Sequence, residues 1–138
     1  MFRTLDEKVS VAGQITPADV AAAAAQGYAA IVNNRPDGEE PGQVPGAEIA
    51  AAAAAAGLAY SAIPVDHSGF DQRQIDAMAA ALDAAGGPVL AFCRSGTRST
   101  YLWALASAKM GAPAEGLVAK AAAQGYDLGP LRPMLDSL

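Results

Sequence analysis

One cysteine and one histidine occur in 138 residues, and that scarcity removes several classes of protein at once. A single thiol closes no internal disulfide, which fits a reducing compartment, so the cytoplasm is the expected location. One histidine and one cysteine supply no spaced ligand set, so no metal is expected, and no motif asks for a cofactor. Basic residues are few: 9 Lys and Arg against 14 Asp and Glu give a net charge of −5, and aromatics make up 6% of the chain. No basic run interleaves with aromatics, which argues against a nucleic-acid surface. Long hydrophobic runs are missing too. Residues 50–56 are all alanine, a run too short and too weakly apolar to span a bilayer. Arg3, Asp6, Glu7 and Lys8 stand where a signal peptide needs an apolar centre. No membrane partner is expected.

What is present is a chain 52% apolar, much of it alanine. The length suits one domain, residues 1–138, with its own core. That core is expected to consist of small side chains, letting helices pack closely on a sheet. Two short strands are predicted at 2–5 and 9–12. A helix follows, with Thr16 as N-cap, Pro17 in the first position and Asp19 beside the N-terminal dipole, running to Ala25 and stopping near Gly27. The sequence then reads as a strand at 28–33, a turn-rich loop at 33–42, an alanine helix at 47–56 closed by Gly57, and a strand at 58–65. Residues 66–70 form the next loop. Asp71 opens a helix with Ile75, Met78, Ala79 and Leu82 on one face, closed by Gly86-Gly87-Pro88. Residues 88–92 read as a buried strand, 100–110 and 114–123 as helices, and 128–138 as a last short helix interrupted by Pro130 and Pro133. Strands alternating with helices predict an α/β fold with a mostly parallel central sheet, flanked by helices on both faces. In such sheets ligands gather at the carboxyl ends of strands. That places the loops at 33–42, 66–70 and 93–98 on one rim.

The single cysteine lies in that third loop, in Phe92-Cys93-Arg94-Ser95-Gly96-Thr97-Arg98-Ser99. A lone cysteine is most often a small buried apolar residue. Here two arginines, one glycine and three hydroxyl residues fill the next six positions, company that packing does not require. A glycine turn between strand and helix aims backbone N–H groups and the helix dipole inward, making an anion site from Arg94, Ser95, Gly96, Thr97 and Ser99. Arg98 adds a forked, permanently charged donor for an oxyanion. The same field favours a thiolate at Cys93, the nucleophilic form of sulfur. The expected partner is therefore a small anionic substrate such as a phosphate ester; oligomeric state is left open.

Displacing an alcohol from phosphate also requires an acid on a neighbouring loop. Asp66, 27 residues before the cysteine, is the first choice, balanced against a turn residue bonded to its own backbone. Asp71 is second, its better reading being a helix N-cap. His67 reads as a rim residue. Arg35 either guides an anion at the rim or anchors its loop through Asp37 or Glu39, anchoring being preferred. Glu39 and Glu40 read as a solvated loop surface, and Tyr101, Leu102, Trp103 and Leu105 as core and helix-face residues.

Three motifs in order, Ser10-Val11-Ala12-Gly13-Gln14, Ile31-Val32-Asn33-Asn34-Arg35-Pro36-Asp37-Gly38-Glu39 and the cysteine loop, resemble the phosphatase-like domain family of beta-lactamase hydrolase-like proteins. The resemblance extends to the ending Gly125-Tyr126-Asp127-Leu128. It implies a tyrosine-phosphatase-like fold related to dual-specificity phosphatases, with Cys93 as nucleophile and Arg98 as oxyanion binder. Some members of the family are called sulfurtransferases. Two departures from the tyrosine-phosphatase pattern stand out. Only four residues separate Cys93 from Arg98 where those enzymes have five, a rhodanese-like length, and Phe92 replaces their histidine. Three readings follow: a cysteine-dependent phosphatase-like hydrolase, favoured; a rhodanese-like sulfurtransferase carrying a Cys93 persulfide; and a non-catalytic anion-binding or thiol redox-sensing module.

Overall fold

The computed structural model describes residues 2–138. One five-stranded sheet organises them, in the order β1-β2-β5-β3-β4. Its strands are β1 (Arg3–Thr4), β2 (Val9–Ala12), β3 (Ala30–Asn33), β4 (Ala59–Ala62) and β5 (Val89–Phe92). β1 runs antiparallel to β2, and every other pairing is parallel. The sheet is mostly parallel, as its alternation with helices predicts.

Register explains why one edge carries the site. Ala12, Phe92, Asn33 and Ala62 are direct neighbours across the four parallel strands. The chain therefore leaves all four strands in one row, through Gly13, Cys93, Asn34 and Ile63. The loops at 33–42, 66–70 and 93–98 share a rim, as expected.

Among the described residues six α-helices cover the sheet. Helices α1 (Pro17–Ala25) and α2 (Gly46–Ala56) lie over the face made by Ala12, Ile31, Leu90 and Phe92. Helices α3 (Gln72–Ala84), α4 (Thr97–Lys109), α5 (Ala114–Ala123) and α6 (Arg132–Asp136) cover the face made by Val9, Val11, Ala30, Val32, Val89 and Ala91. Side chains alternate between faces along each strand because the strand period is two. Many of these residues are alanine or valine, so the layers sit close. Helix starts follow the capping chemistry. Thr16 and Asp19 form a reciprocal capping box, as do Asp71 and Gln74, so Asp71 is a helix cap. Pro45 gives α2 no side-chain cap, and the Asp37 carboxylate accepts from the Gly46 N–H at 2.8 Å instead.

Two boundaries differ from expectation. β4 ends at Ala62, short of the predicted residue 65, because Pro64 has no N–H for a ladder. The chain still follows β3 past that point, with Ile63 N–H on Asn33 O and Val65 N–H on Asn34 O, each at 2.9 Å. Helix α4 starts at Thr97, three residues before the predicted residue 100. Arg98 and Ser99 thus belong to a helical first turn, not to the loop.

α4 is the element that fixes the site. Leu102, Trp103, Ala104, Leu105 and Ala106 are fully buried, and each large side chain among them contributes about 1.5–3 kcal/mol of burial. The indole N–H of Trp103 donates to Asp6 Oδ2 at 3.1 Å, so its polar atom is satisfied far from the loop. Burial along the length of the helix fixes the direction in which its first turn is presented. No helix among the described residues is long and apolar enough to cross a membrane.

Candidate active site

Cys93 leaves β5 with its N–H on Ala12 O at 3.3 Å, and its Sγ accepts the Gly96 N–H at 3.1 Å. The residue is 0% exposed. The sulfur is thus the floor of the turn, which folds over it. Gly96 makes that turn possible. Its φ is +91°, and a Cβ there would overlap the Tyr126 hydroxyl. Gly13 allows the adjoining strand exit to come close, since a Cβ there would lie 3.0 Å from Arg94 O. Gln14 N–H donates to that same carbonyl at 3.3 Å. Gly96→Ala is expected to cost about 2 kcal/mol or more from the left-handed backbone and the overlap together, read as a fall in the urea midpoint. An unchanged midpoint would contradict the turn geometry.

Among the described residues, the N–H groups of Arg94, Ser95, Thr97 and Arg98 have no acceptor within the protein. They lie in the turn that follows Cys93 and at the start of α4, where the helix dipole is positive. Ser95 Oγ donates to Thr97 Oγ1 at 3.1 Å. Ser99 does not face the cradle. It is buried, and its hydroxyl donates to Asn34 Oδ1 at 2.8 Å while Asn34 Nδ2 donates to Ile63 O at 2.9 Å. This chain ties α4 to the exits of β3 and β4, so Ser99 is a positioning residue and its placement in the anion loop is corrected. Arg94 is exposed at the rim, its guanidinium 3.8 Å from Glu40.

Arg98 is held by three bonds. Nη1 donates to Glu39 Oε2 at 2.7 Å and to Val65 O at 2.7 Å, and Nη2 donates to Glu39 Oε1 at 2.8 Å. Glu39 thus takes the end of the fork. Guanidinium geometry leaves the Nε–H and the second Nη2–H along the other edge. The bonds to Glu39 raise the Arg98 pKa against the opposing effect of burial, and the neighbouring Cys93 side chain raises it further.

Glu39 is expected both as a solvated loop carboxylate and as a possible anchor for Arg35; the second reading holds, and its bonds to Arg98 lie outside both. It is not a solvated surface carboxylate: it also accepts from Arg35 Nε at 2.8 Å. The Arg98 bonds hold its carboxyl at about 2, and those of Arg35 assist. Arg35 is corrected likewise. It is 3% exposed and no rim residue, reaching Glu39, Glu40 at 2.9 Å and Gln14 at 3.0 Å. The preferred anchoring role is what the bonds show, through Glu39 and Glu40 and not through Asp37. No local pattern marks Glu39, which lies 59 positions from Arg98.

Asp66 follows Val65, whose carbonyl binds Arg98. Its carboxylate is exposed and accepts from the backbone and hydroxyl of Ser68, bonds that lower its pKa, the hydroxyl most; Arg98 adds a smaller pull. The turn-forming role is therefore present, within the electrostatic reach of Arg98. His67 is exposed beside it. A cavity of about 310 Å³ opens next to the site between Arg35, Asp37, Tyr60 and the start of α2.

The chain compares closely with known proteins. Residues 1–110 match the family described as Beta-lactamase hydrolase-like protein, phosphatase-like domain. A beta-lactamase hydrolase-like protein of Agrobacterium fabrum is 41% identical over 104 residues, 75% of this chain and 24% of that protein. The chain spans between 24% and 29% of the length of the curated relatives it matches. Among solved structures, a candidate phosphatase of Neisseria meningitidis Z2491 superposes with a TM-score of 0.84 at 33% identity, covering 98% of this chain and 96% of that one. Tk-PTP in its active form gives 0.72 at 16% identity, over 99% and 93% of the two chains, a likeness of fold. The fold is that of the tyrosine phosphatases, and the chain belongs to the phosphatase-like domain family of beta-lactamase hydrolase-like proteins.

Proposed function

We propose that the protein is a cysteine-dependent phosphatase-like hydrolase of small phosphomonoesters. The observation that carries this reading is Cys93 Sγ lying under a turn of unpartnered N–H groups, with the Gly96 N–H on the sulfur and Arg98 beside it. The turn amides and the free edge of Arg98 bind the phosphoryl oxygens and stabilise the charge that grows on them. The thiolate forms an S–P bond as the ester P–O bond breaks, and the departing alkoxide takes a proton from Asp66. Water, losing a proton to the Asp66 carboxylate, then cleaves the S–P bond, giving phosphate and restoring the thiolate. Glu39 holds Arg98 in place through this sequence without touching the substrate.

The lowered Asp66 pKa sets a sign. The protonated acid becomes scarcer as pH rises above an already depressed value, so hydrolysis of an alkyl phosphate falls from acid toward neutral pH. Asp66→Asn is expected to remove that slope and to lower the acid-side rate about 10²–10³-fold.

One observation favours sulfur transfer as the second reading: the Ser68 bonds keep Asp66 ionised, and a sulfane-sulfur donor needs no proton for its leaving group. In that reaction the donor S–S bond of thiosulfate breaks, sulfite leaves with the electron pair, and a Cys93 persulfide passes its outer sulfur to an acceptor. The four-residue spacing between Cys93 and Arg98 fits it too. The test is a paired assay of aryl phosphate hydrolysis and thiosulfate-to-cyanide transfer on wild type and Asp66→Asn. Phosphate release that falls in the variant supports hydrolysis. Sulfur transfer that survives it, with no phosphate release, establishes the second reading. A protein inert in both assays overturns both.

A further inference from the structure

We infer that Tyr126 is a positioning residue for the Cys93 thiolate, acting through the Ser95–Gly96 peptide. The inference rests on the reading of Cys93 as the nucleophile and adds a residue beyond the 1–110 stretch that matches the family. Tyr126 Oη donates to Ser95 O at 3.1 Å, and the next atom pair of the same peptide, Gly96 N–H, donates to Cys93 Sγ at 3.1 Å. A trans peptide is planar, with its C=O and N–H pointing in opposite directions. A bond that holds the Ser95 carbonyl outward therefore holds the Gly96 N–H inward, on the sulfur. Withdrawing electron density at the carbonyl also makes the amide a better donor, as in any hydrogen-bonded chain.

The tyrosine is itself fixed. The Arg3 guanidinium lies 5.6 Å from its ring centroid and donates to Gln124 O at 2.7 Å. The Tyr101 hydroxyl, from α4, donates to Asp127 O at 3.0 Å, tying down the following residue. Burial raises the phenol pKa, so the hydroxyl keeps its proton and stays a donor at neutral pH. The group facing the sulfur is thus Arg98 from α4, backed by Glu39 from the loop after β3, while Tyr126 from the turn after α5, backed by Arg3, acts from the far side of the Ser95–Gly96 peptide. Of these only Tyr126 acts on the Gly96 amide.

Tyr126→Phe keeps the ring and its packing and removes only the hydroxyl. Because Cys93 is the only cysteine, thiolate absorbance near 240 nm, followed against pH below the tyrosine range, reports on it alone. The Tyr126→Phe curve is expected to move to higher pH, because the sulfur's amide donor is no longer held and polarised by the phenol. Tyr101→Phe, which loosens the same segment without touching Ser95, is expected to overlay wild type. A Tyr126→Phe curve that coincides with wild type, or a Tyr101→Phe curve that moves equally, overturns the inference. The titration needs no substrate, so it stands whether or not either activity is found. Where hydrolysis is measurable, the same variant is expected to lower kcat several-fold with KM little changed; a change confined to KM also overturns it.

Discussion

Cys93→Ser is expected to lower phosphate release by about 10⁴–10⁶-fold, the usual cost of removing a covalent nucleophile, while the protein keeps its fold. The reason both halves hold lies in the local geometry. Serine is close to cysteine in shape, and its oxygen accepts the Gly96 N–H that now ends on Sγ. The turn amides and Arg98 stay where they are, so the variant still binds an oxyanion. What is lost is the sulfur nucleophile itself: an alkoxide does not form near neutral pH, and the residue next to Cys93 is Phe92 and not a histidine that could take the serine proton. The measurement is a paired one, phosphate release and inorganic phosphate binding by calorimetry. Binding within a few-fold of wild type with release abolished is the expected pattern. Release that persists at more than about one per cent of wild type would show that the turnover came from elsewhere in the preparation or the chain, since loss of a nucleophile is never that mild.

How much of this arrangement the sequence announces depends on the range of each interaction. Local signals are clear. Thr16 and Asp19 name the start of α1, Asp71 names the start of α3, and Cys93 with Gly96 names a turn between a strand and a helix. The alternation of strands and helices is enough to bring three loops to one rim. The start of α4 is harder to see because Thr97, Arg98 and Ser99 are polar and break no apolar period, although they take helical backbone. The end of β4 is obscured by Ile63 and Val65, which are as apolar as strand residues but flank Pro64. What stays hidden is the wiring between distant segments. Glu39 looks like one of three loop carboxylates, a candidate anchor for Arg35 beside Asp37, until Arg98 is seen on it as well. Tyr126 sits 31 residues from the carbonyl it holds. Ser99 reads as part of an anion loop because it is next to Arg98, and only the turn of the helix sends it to Asn34. Each miss concerns a partner chosen by topology, which composition and period do not encode.

Glu39→Gln is expected to destabilise the protein by about 3 kcal/mol at pH 7, because it removes one charge from a cluster whose other members stay put. Arg35 retains Glu40 and Gln14, and Arg98 retains the Val65 carbonyl, but both guanidinium groups lose their shared anion. The neutral amide offers one acceptor where the carboxylate receives three bonds. The pH dependence fixes the cause. The Glu39 carboxyl lies at about 2 in the folded protein against an ordinary 4.5. A carboxyl with a depressed folded value contributes stability that is fully present above the unfolded value and is lost as pH falls through the folded one. The wild type should therefore exceed Glu39→Gln by a constant margin above pH 4.5, and the margin should shrink steadily as pH drops toward 2. Urea unfolding of both proteins across that range measures it. Parallel curves would mean that the carboxylate is not what the arginines hold, and that Arg98 is oriented by Val65 and the helix alone. On the activity side the same variant frees the end of the Arg98 fork, so kcat/KM is expected to drop about 10²-fold, as for loss of an oriented oxyanion donor. A stable but fully active Glu39→Gln would remove Glu39 from the account. A less stable, weakly active one would show that fold and site draw on the same ion pair, the carboxylate that keeps loop 33–42 in place being the one that aims Arg98 at the sulfur.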